Sequence, residues 1–250
     1  MSNDLLSYGS NDLTVGGLAG AGTVNTVAGG TLTDNNSADA DFSGVLNGSA
    51  AFLKTGLGKQ ILSGNNAATF TGAVSVTGGT LEVSGNLSGS AVTVNGGTLG
   101  GDGTVGAVSV TTGTVAPGNS TFGSLDTANF GLTAGALSLE IGSLSSYDSI
   151  NTTGTVTLGG NLVLNVGAGP FTFGDSFTII SNDGASDAVN GTFAGIAEGS
   201  IFSAGGYNFT VSYAGNDGND VTLVVPEPGT AALLLGGLAM LAGRRRRKQA

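Results

Sequence analysis

Three successive segments of this chain repeat one pattern in register. "AVSVTGGTLEVSGNLSGS" (73–90) is followed by "AVTVNGGTLGGDGTVG" (91–106) and then by "AVSVTTGTVAPG" (107–118). Val74, Val92 and Val108 correspond, as do Val76, Val94 and Val110, and then Leu81, Leu99 and Val115, at offsets of 18 and 16 residues. Each unit is a three-residue apolar alternation, a small turn carrying Gly-Gly or Thr-Gly, and a second short apolar pair. Alternation puts Val74 and Val76 on one face of a strand and Ser75 on the other. A strand this short cannot bury a face alone. Stacking each unit on the next, at about 4.8 Å, lines up equivalent valines into a continuous core. An antiparallel meander with Gly-Gly hairpins is the alternative for any single unit, but it needs only alternation and not the recurrence of one residue type at one point of every turn. The expected fold is therefore all-β, a parallel β-solenoid.

Composition narrows the chemistry. Glycine supplies 47 of 250 residues while mean hydropathy is +0.27, so the chain has the apolar content that disordered polymers lack. Histidine, cysteine and tryptophan are absent. Thiolate nucleophiles, Ser/His pairs, His- or Cys-ligated zinc and disulfides are excluded with them. No catalytic set and no cofactor site is expected. Residues 1–225 hold two basic and sixteen acidic residues, a net charge of −14, whereas Arg244, Arg245, Arg246, Arg247 and Lys248 are crowded at the end. Phosphate backbones would repel such a body, and nucleic acid is not an expected partner.

The carboxylates fall into small groups. Asp39 and Asp41 are two apart and share a face on a strand, a spacing that paired-carboxylate hydrolysis can use, but no visible pattern places a second acid opposite them, and a solvent-facing loop entering a strand is the preferred reading. "GNDGNDVTL" (215–223) partly resembles the glycine- and aspartate-rich nonapeptide that binds calcium in repeat toxins, which makes Asp217 and Asp220 weak calcium candidates, but only one copy is present, Asn216 stands where glycine belongs, and a hairpin turn accounts for the same residues. Asp183 and Asp187 read as a polar loop. Lys54 and Lys59, the two cations of the body, read as solvated edges of the solenoid, too few to neutralise a uronate for a lyase.

The stretch 42–85 resembles the autotransporter-associated β-strand repeat of secreted bacterial surface proteins. Its matching elements are Lys54-Thr55-Gly56-x-Gly58, Leu62-Ser63-Gly64-x-Asn66, Phe70-Thr71-Gly72 and Gly79-Thr80-Leu81. The likeness extends over roughly residues 15–224 and implies a right-handed parallel β-helix. After residue 120, where eleven of the fifteen Phe and Tyr residues lie, the coils are expected to broaden or to finish in a β-sandwich-like cap. Expected domains are thus 1–120, a repeat solenoid; 121–224, the broader aromatic-rich unit; and 225–250, a separate tail. The resemblance implies a passenger-like body, and the tail stands where an autotransporter carries its outer-membrane barrel, so self-secretion is not expected.

That tail reads Pro226-Glu227-Pro228, then an uncharged run over 229–243, then the basic cluster 244–248. Two prolines keep Val225 and Glu227 extended. Fifteen residues make a helix of about 22 Å, short of the ~30 Å hydrocarbon core but able to span by local thinning and arginine snorkelling. The basic cluster would hold the cytoplasmic side. This order resembles the PEP-CTERM sorting signal. On that resemblance Pro226, Glu227 and Pro228 are the recognition motif for an exosortase, a membrane-embedded cysteine protease, and the inner membrane holds the protein through a short transmembrane helix before release to the cell surface or extracellular matrix. Extracellular polysaccharide or a neighbouring cell surface is the expected partner of the exported body. The start, "MSNDLLSYGSNDL", lacks the basic and apolar regions of a signal peptide, so an export-competent N-terminus is expected upstream.

Overall fold

Strands of three or four residues separated by glycine turns gain stability only from neighbours above and below, and the chain takes that route. The computed structural model describes residues 5–7, 11–118, 121–184 and 186–227. Val74, Val92 and Val108 pair in one parallel ladder, Val76, Val94 and Val110 in the same ladder two residues on, and Leu81, Leu99 and Val115 in the next. The 18- and 16-residue offsets of the sequence are the observed register. Parallel pairing throughout this stretch rules out the meander.

The result is an all-β solenoid of right-handed type with three faces. Nine strands form the first face, from Leu13–Val15 through Thr31–Asp34, Ala51–Lys54 and Val74–Val76 to Val189–Gly191. The second runs from Ala40–Phe42 through Lys59–Leu62 and Thr80–Val83 to Ala136–Ser143 and Asn161–Val166. The third begins at Asn86–Leu87 and passes through Thr104–Val105, Ser124–Thr127 and Ser149–Thr152 to Ser176–Asn182. Inside, Leu32, Phe52, Val74, Val92, Val108, Phe130 and Val156 stack as one buried column along the axis. Glycines permit the corners. A Cβ on Gly64 would sit 1.9 Å from the Gly44 carbonyl oxygen, and Gly101 has φ +107° with a Cβ position 2.0 Å from the Val83 oxygen.

Coils lengthen toward the C-terminus. Val92 pairs with Val108, Val108 with Phe130, Phe130 with Val156 and Val156 with Val189, and the intervals grow at each step. Aromatic rings fill the added width. Phe177 meets Tyr147, Phe171 and Phe209 edge-on, at centroid distances of 5.4, 5.4 and 6.2 Å. Here the third face changes character: Ser176–Asn182 pairs antiparallel with Asp220–Val224, which pairs with Tyr207–Gly215, which pairs with Ile201–Ala204. Among the described residues no helix is long and apolar enough to cross a membrane. The expected transmembrane helix, with Pro228 and the basic cluster 244–248, lies outside the described residues.

Candidate functional site

Of the acidic candidates, Asp39, Asp41 and Asp220 are engaged within the fold. Asp39 accepts from the Lys59 backbone N–H (2.9 Å) and Asp41 from the Ser63 hydroxyl (3.0 Å), so each exposed carboxylate braces its strand against the following coil. Asp217 and Asp220 occupy the turn between Tyr207–Gly215 and Asp220–Val224, where Asn216 has φ +46° and Gly218 φ +114°. The buried Asp220 accepts from the Asn182 backbone N–H (2.8 Å) and, with its other oxygen, from the Asn216 amide. Asp217 is exposed, as is Asp183. Among the described residues no group of three or more acidic side chains gathers as a metal site.

The lysines depart from expectation. Lys54 is not a solvated edge: it is 0% exposed, inside the column two residues on from the aliphatic one, between Asp34 and Val76 in register. The physical reason is strand parity. Position 54 faces inward as Phe52 does, and its ammonium turns back to donate to the carbonyls of Gly56 and Gly78, the latter at 3.5 Å. Asp34 is equally buried, and neither of its carboxylate oxygens has a hydrogen-bond partner. Burial pushes the Asp34 carboxyl above its usual value, partly opposed by the Lys54 charge. It pushes the Lys54 ammonium below its own, partly opposed by Asp34. Lys59 is partly exposed and forms an ion pair with the buried Glu82 at 3.0 Å.

Around this pair, buried amides fasten one coil to another. The Gln60 side chain accepts from the Leu18 N–H (2.8 Å) and donates to the Leu18 carbonyl (2.9 Å), across 42 residues of chain. Asn66 accepts from the Leu46 N–H at 2.6 Å, and Asn36 donates to the Ala38 and Lys59 carbonyls, both at 2.9 Å. Sequence reasoning missed these roles. Their signal was available: polar residues at inward parity beside Lys-Thr-Gly-x-Gly and Leu-Ser-Gly-x-Asn.

Outside, the third face carries an open groove of about 440 Å³. Thr104, Asp126 and Asn151 follow one another across the strands, with Ser181 next in line. Asn151 donates to Asp126 at 2.9 Å, and Ser88, Thr127, Thr152, Thr153 and Asp183 are among the other lining residues, with Val105 and Ala128 between them. Hydroxyls, amides and carboxylates repeat here at the strand spacing, with no basic group among the lining residues. Such a row offers both donors and acceptors to a hydroxyl-rich polymer and no cation to a phosphate.

At the other end of the site inventory lies the chain exit. Val225 is buried and hydrogen-bonded on both sides, its N–H donating to the Asp175 carbonyl and its carbonyl accepting from the Gly174 N–H, each at 2.9 Å. Pro226 follows directly, half-buried, and Glu227 is exposed. The candidate sorting motif therefore starts one residue beyond the folded cap.

Body and tail together define a class: a three-faced β-solenoid with polar surfaces, ending directly in a sorting tail. Residues 224–248 match the PEP-CTERM protein-sorting motif. The chain is also similar to the protein named adhesin BmaC autotransporter of Brucella suis biovar 1 (strain 1330), at 38% identity over 94 residues. That match takes in 36% of this chain and 3% of that protein, so the chain spans only a small part of the length of its curated relative.

Proposed function

We propose that this chain is a non-catalytic structural or adhesion protein, exported to the cell surface or the exopolysaccharide matrix and processed at its C-terminus by an exosortase. The observation that carries the reading is the junction at Val225. The hydrogen-bonded body reaches Val225, and the matched sorting motif, 224–248, begins at the end of its last strand with no intervening linker. The relative's name is that of an adhesin, in keeping with a body whose outer faces are Thr, Ser, Asn and Gly and whose charge repels phosphate polymers. Function on this reading lies in extended polar surface presented to polysaccharide or neighbouring cells.

The test is cell fractionation with an antibody to the body, with and without the exosortase, followed by mass spectrometry of the C-terminus. Surface material is expected to lack residues beyond the motif, and cells without the exosortase are expected to hold the intact chain in the inner membrane. An intact C-terminus in wild-type surface fractions refutes the sorting reading.

A second reading, a glycan-active hydrolase, has one observation behind it: Asp126 and Asp183 line the same groove. Against it, Asp126 is already engaged by Asn151. Hydrolysis of matrix polysaccharide by the purified chain, abolished in Asp126→Asn or Asp183→Asn, would favour the enzyme. Glycan retention unchanged by both substitutions, without turnover, favours the structural role.

A further inference from the structure

The outer side of the second face carries a small site built on its last two strands. Ala136–Ser143 and Asn161–Val166 pair in parallel, with Ser138 opposite Val163 and Glu140 opposite Asn165. Parity sends Leu137, Leu139 and Ile141 into the core and turns Glu140 and Asn165 outward, both exposed. The next outward positions are Gly142 and Gly167, which leave a floor without side chains. Phe122 closes one end of that floor. Its ring tip stands over Gly142, where a Cβ would meet it at 2.3 Å, and Phe122 remains 44% exposed. On the other side of the Glu140–Asn165 pair stands Val163, also exposed. Gly205 adds a further wall to an open cavity of about 480 Å³.

A buried carboxylate holds the two halves together. Asp148 accepts from the Gly123 N–H (3.0 Å) with one oxygen and from the Glu140 N–H (2.8 Å) with the other. Its own N–H donates to the Glu140 carbonyl (2.9 Å), and the Ser149 N–H donates to the Gly123 carbonyl (3.1 Å). The residue after the ring and the residue bearing the exposed acid are thus clamped to one point. Asp39, Asp41 and Asp126 are engaged by neighbouring coils, whereas the Glu140 carboxylate and the Asn165 amide make no hydrogen bond with described residues.

These parts suit a sugar ring, which has a C–H face and a rim of hydroxyls. Phe122 offers an aromatic surface to the C–H face, the carboxylate accepts charge-assisted hydrogen bonds from hydroxyls, and the amide both donates and accepts. Glu140 and Gly142 are two residues apart, about 6.6 Å, and Glu140 and Asn165 about 4.8 Å across the ladder, so ring, acid and amide reach one sugar at a time. Charge selects among sugars. No basic residue lines the cavity, and the two lysines of the body lie in early coils. A uronate or a phosphorylated sugar would meet Glu140 with no cation as offset.

We infer that Phe122, Glu140 and Asn165 form a binding site for a neutral sugar unit of a polysaccharide, stacked on the ring and hydrogen-bonded by the acid and the amide. The inference rests on the proposed polysaccharide partner and deepens it, from an extended polar surface to one defined contact.

The full chain, in mild detergent, is run through native gels containing matrix polysaccharide from the cells that make it, divided by anion exchange into neutral and acidic fractions. Expected is retardation by the neutral fraction and none by the acidic one. Phe122→Ala should weaken the interaction by about tenfold or more, and Phe122→Trp should restore it. Glu140→Gln and Asn165→Ala should each weaken it, while Asp126→Asn, on the third face, should leave it unchanged. Because the chain has no tryptophan of its own, Phe122→Trp also supplies a single reporter whose emission should shift on saturation with the neutral fraction. Retardation untouched by Phe122→Ala or by Glu140→Gln overturns the site while the polysaccharide partner stands. Equal loss in Asp126→Asn moves the contact to the third face and also overturns the site. Retardation by the acidic fraction alone overturns the assignment to a neutral sugar, and emission that does not move at saturation overturns stacking on the ring. No retardation by either fraction refutes the polysaccharide partner and the inference with it. If Phe122→Ala lowers the unfolding midpoint, Glu140→Gln decides alone, since it keeps every backbone hydrogen bond of the site.

Discussion

Replacing Lys54 by methionine tests whether the core of the early coils is held by a buried charge pair. Methionine matches the lysine stem in volume, so packing alone should cost less than about 1.5 kcal/mol. What remains is Asp34, 0% exposed, with neither oxygen hydrogen-bonded and its one favourable charge removed. Breaking a buried pair from one side costs about 3–5 kcal/mol. A ceiling follows from titration. Neutralising a carboxyl of ordinary pKa 3.8 at pH 7 costs about 4 kcal/mol at 1.36 kcal/mol per unit, and the protein will take a proton rather than exceed that. Lys54→Met is therefore expected to lose about 3–4 kcal/mol at pH 7, read from the urea midpoint by far-ultraviolet circular dichroism at unchanged slope.

The pH dependence has a definite sign. Asp34 has a folded pKa raised above 3.8, so its contribution is fully present below 3.8 and is lost as pH rises through the folded value. Lys54 has a folded pKa lowered from 10.5, so its contribution is present above 10.5 and is lost as pH falls through the folded value. Burial opposes the charged form of both groups, and their mutual attraction is the offset. At pH 4, close to the ordinary carboxyl value of 3.8, keeping Asp34 neutral costs little, and the loss in Lys54→Met should fall to about 1 kcal/mol or less. The double variant Asp34→Val/Lys54→Met, which continues the column between Val15 and Val76, is expected to match or exceed the parent at pH 7 by up to about 4 kcal/mol. A single variant as stable as the parent at pH 7, or one whose full loss persists at pH 4, would refute the reasoning.

Other consequences are open to direct measurement. Tyr213→Phe should cost about 1–3 kcal/mol, since the hydroxyl accepts from the Phe193 N–H (3.0 Å) and donates to the Ile196 carbonyl (2.7 Å) inside the cap; an unchanged unfolding midpoint would contradict this. Gly101→Ala meets both a positive φ and a backbone oxygen, and should leave the chain insoluble or lower its midpoint by more than about 2 kcal/mol. Calcium or chelator should not move the thermal midpoint, because Asp220 is already engaged by Asn182 and Asn216; a rise with calcium would restore the site at Asp217 and Asp220. Alanine at Pro226 and Glu227 should leave folding intact and accumulate the unprocessed chain in membranes, as judged by its mass.

Much of the solenoid could be read directly because its rule is local and recurs. Val74, Val92 and Val108 announce their own partners, since coils of 18 and 16 residues carrying the same residue types convert sequence offset into spatial register. The same reasoning weakens after Pro117. From Val108 to Phe130, Phe130 to Val156 and Val156 to Val189 the coils differ in length, and no fixed offset points from one to the next. Strand-like segments such as "YNFTVSY" and "DVTLVV" were legible there, but their antiparallel order was not, because it depends on which face still had an unpaired edge. The lysines failed for a related cause. Charge suggested solvent, while parity placed Lys54 among the inward positions, and only the turn closing over it determines which signal wins.

The sequence by itself determined the repeat, the parallel register of the central coils, the absence of cysteine and histidine, and the order of motif, apolar run and basic cluster in the tail. Each is a property of neighbours along the chain or of composition. Tertiary structure decided the burial of Asp34 with Lys54, the meeting of Asp126 with Asn151, and the seating of Val225 between Gly174 and Asp175. Those depend on residues 20, 25 and about 50 positions apart brought together by stacking and pairing, and the free energy that selects them belongs to the assembled coils rather than to any segment.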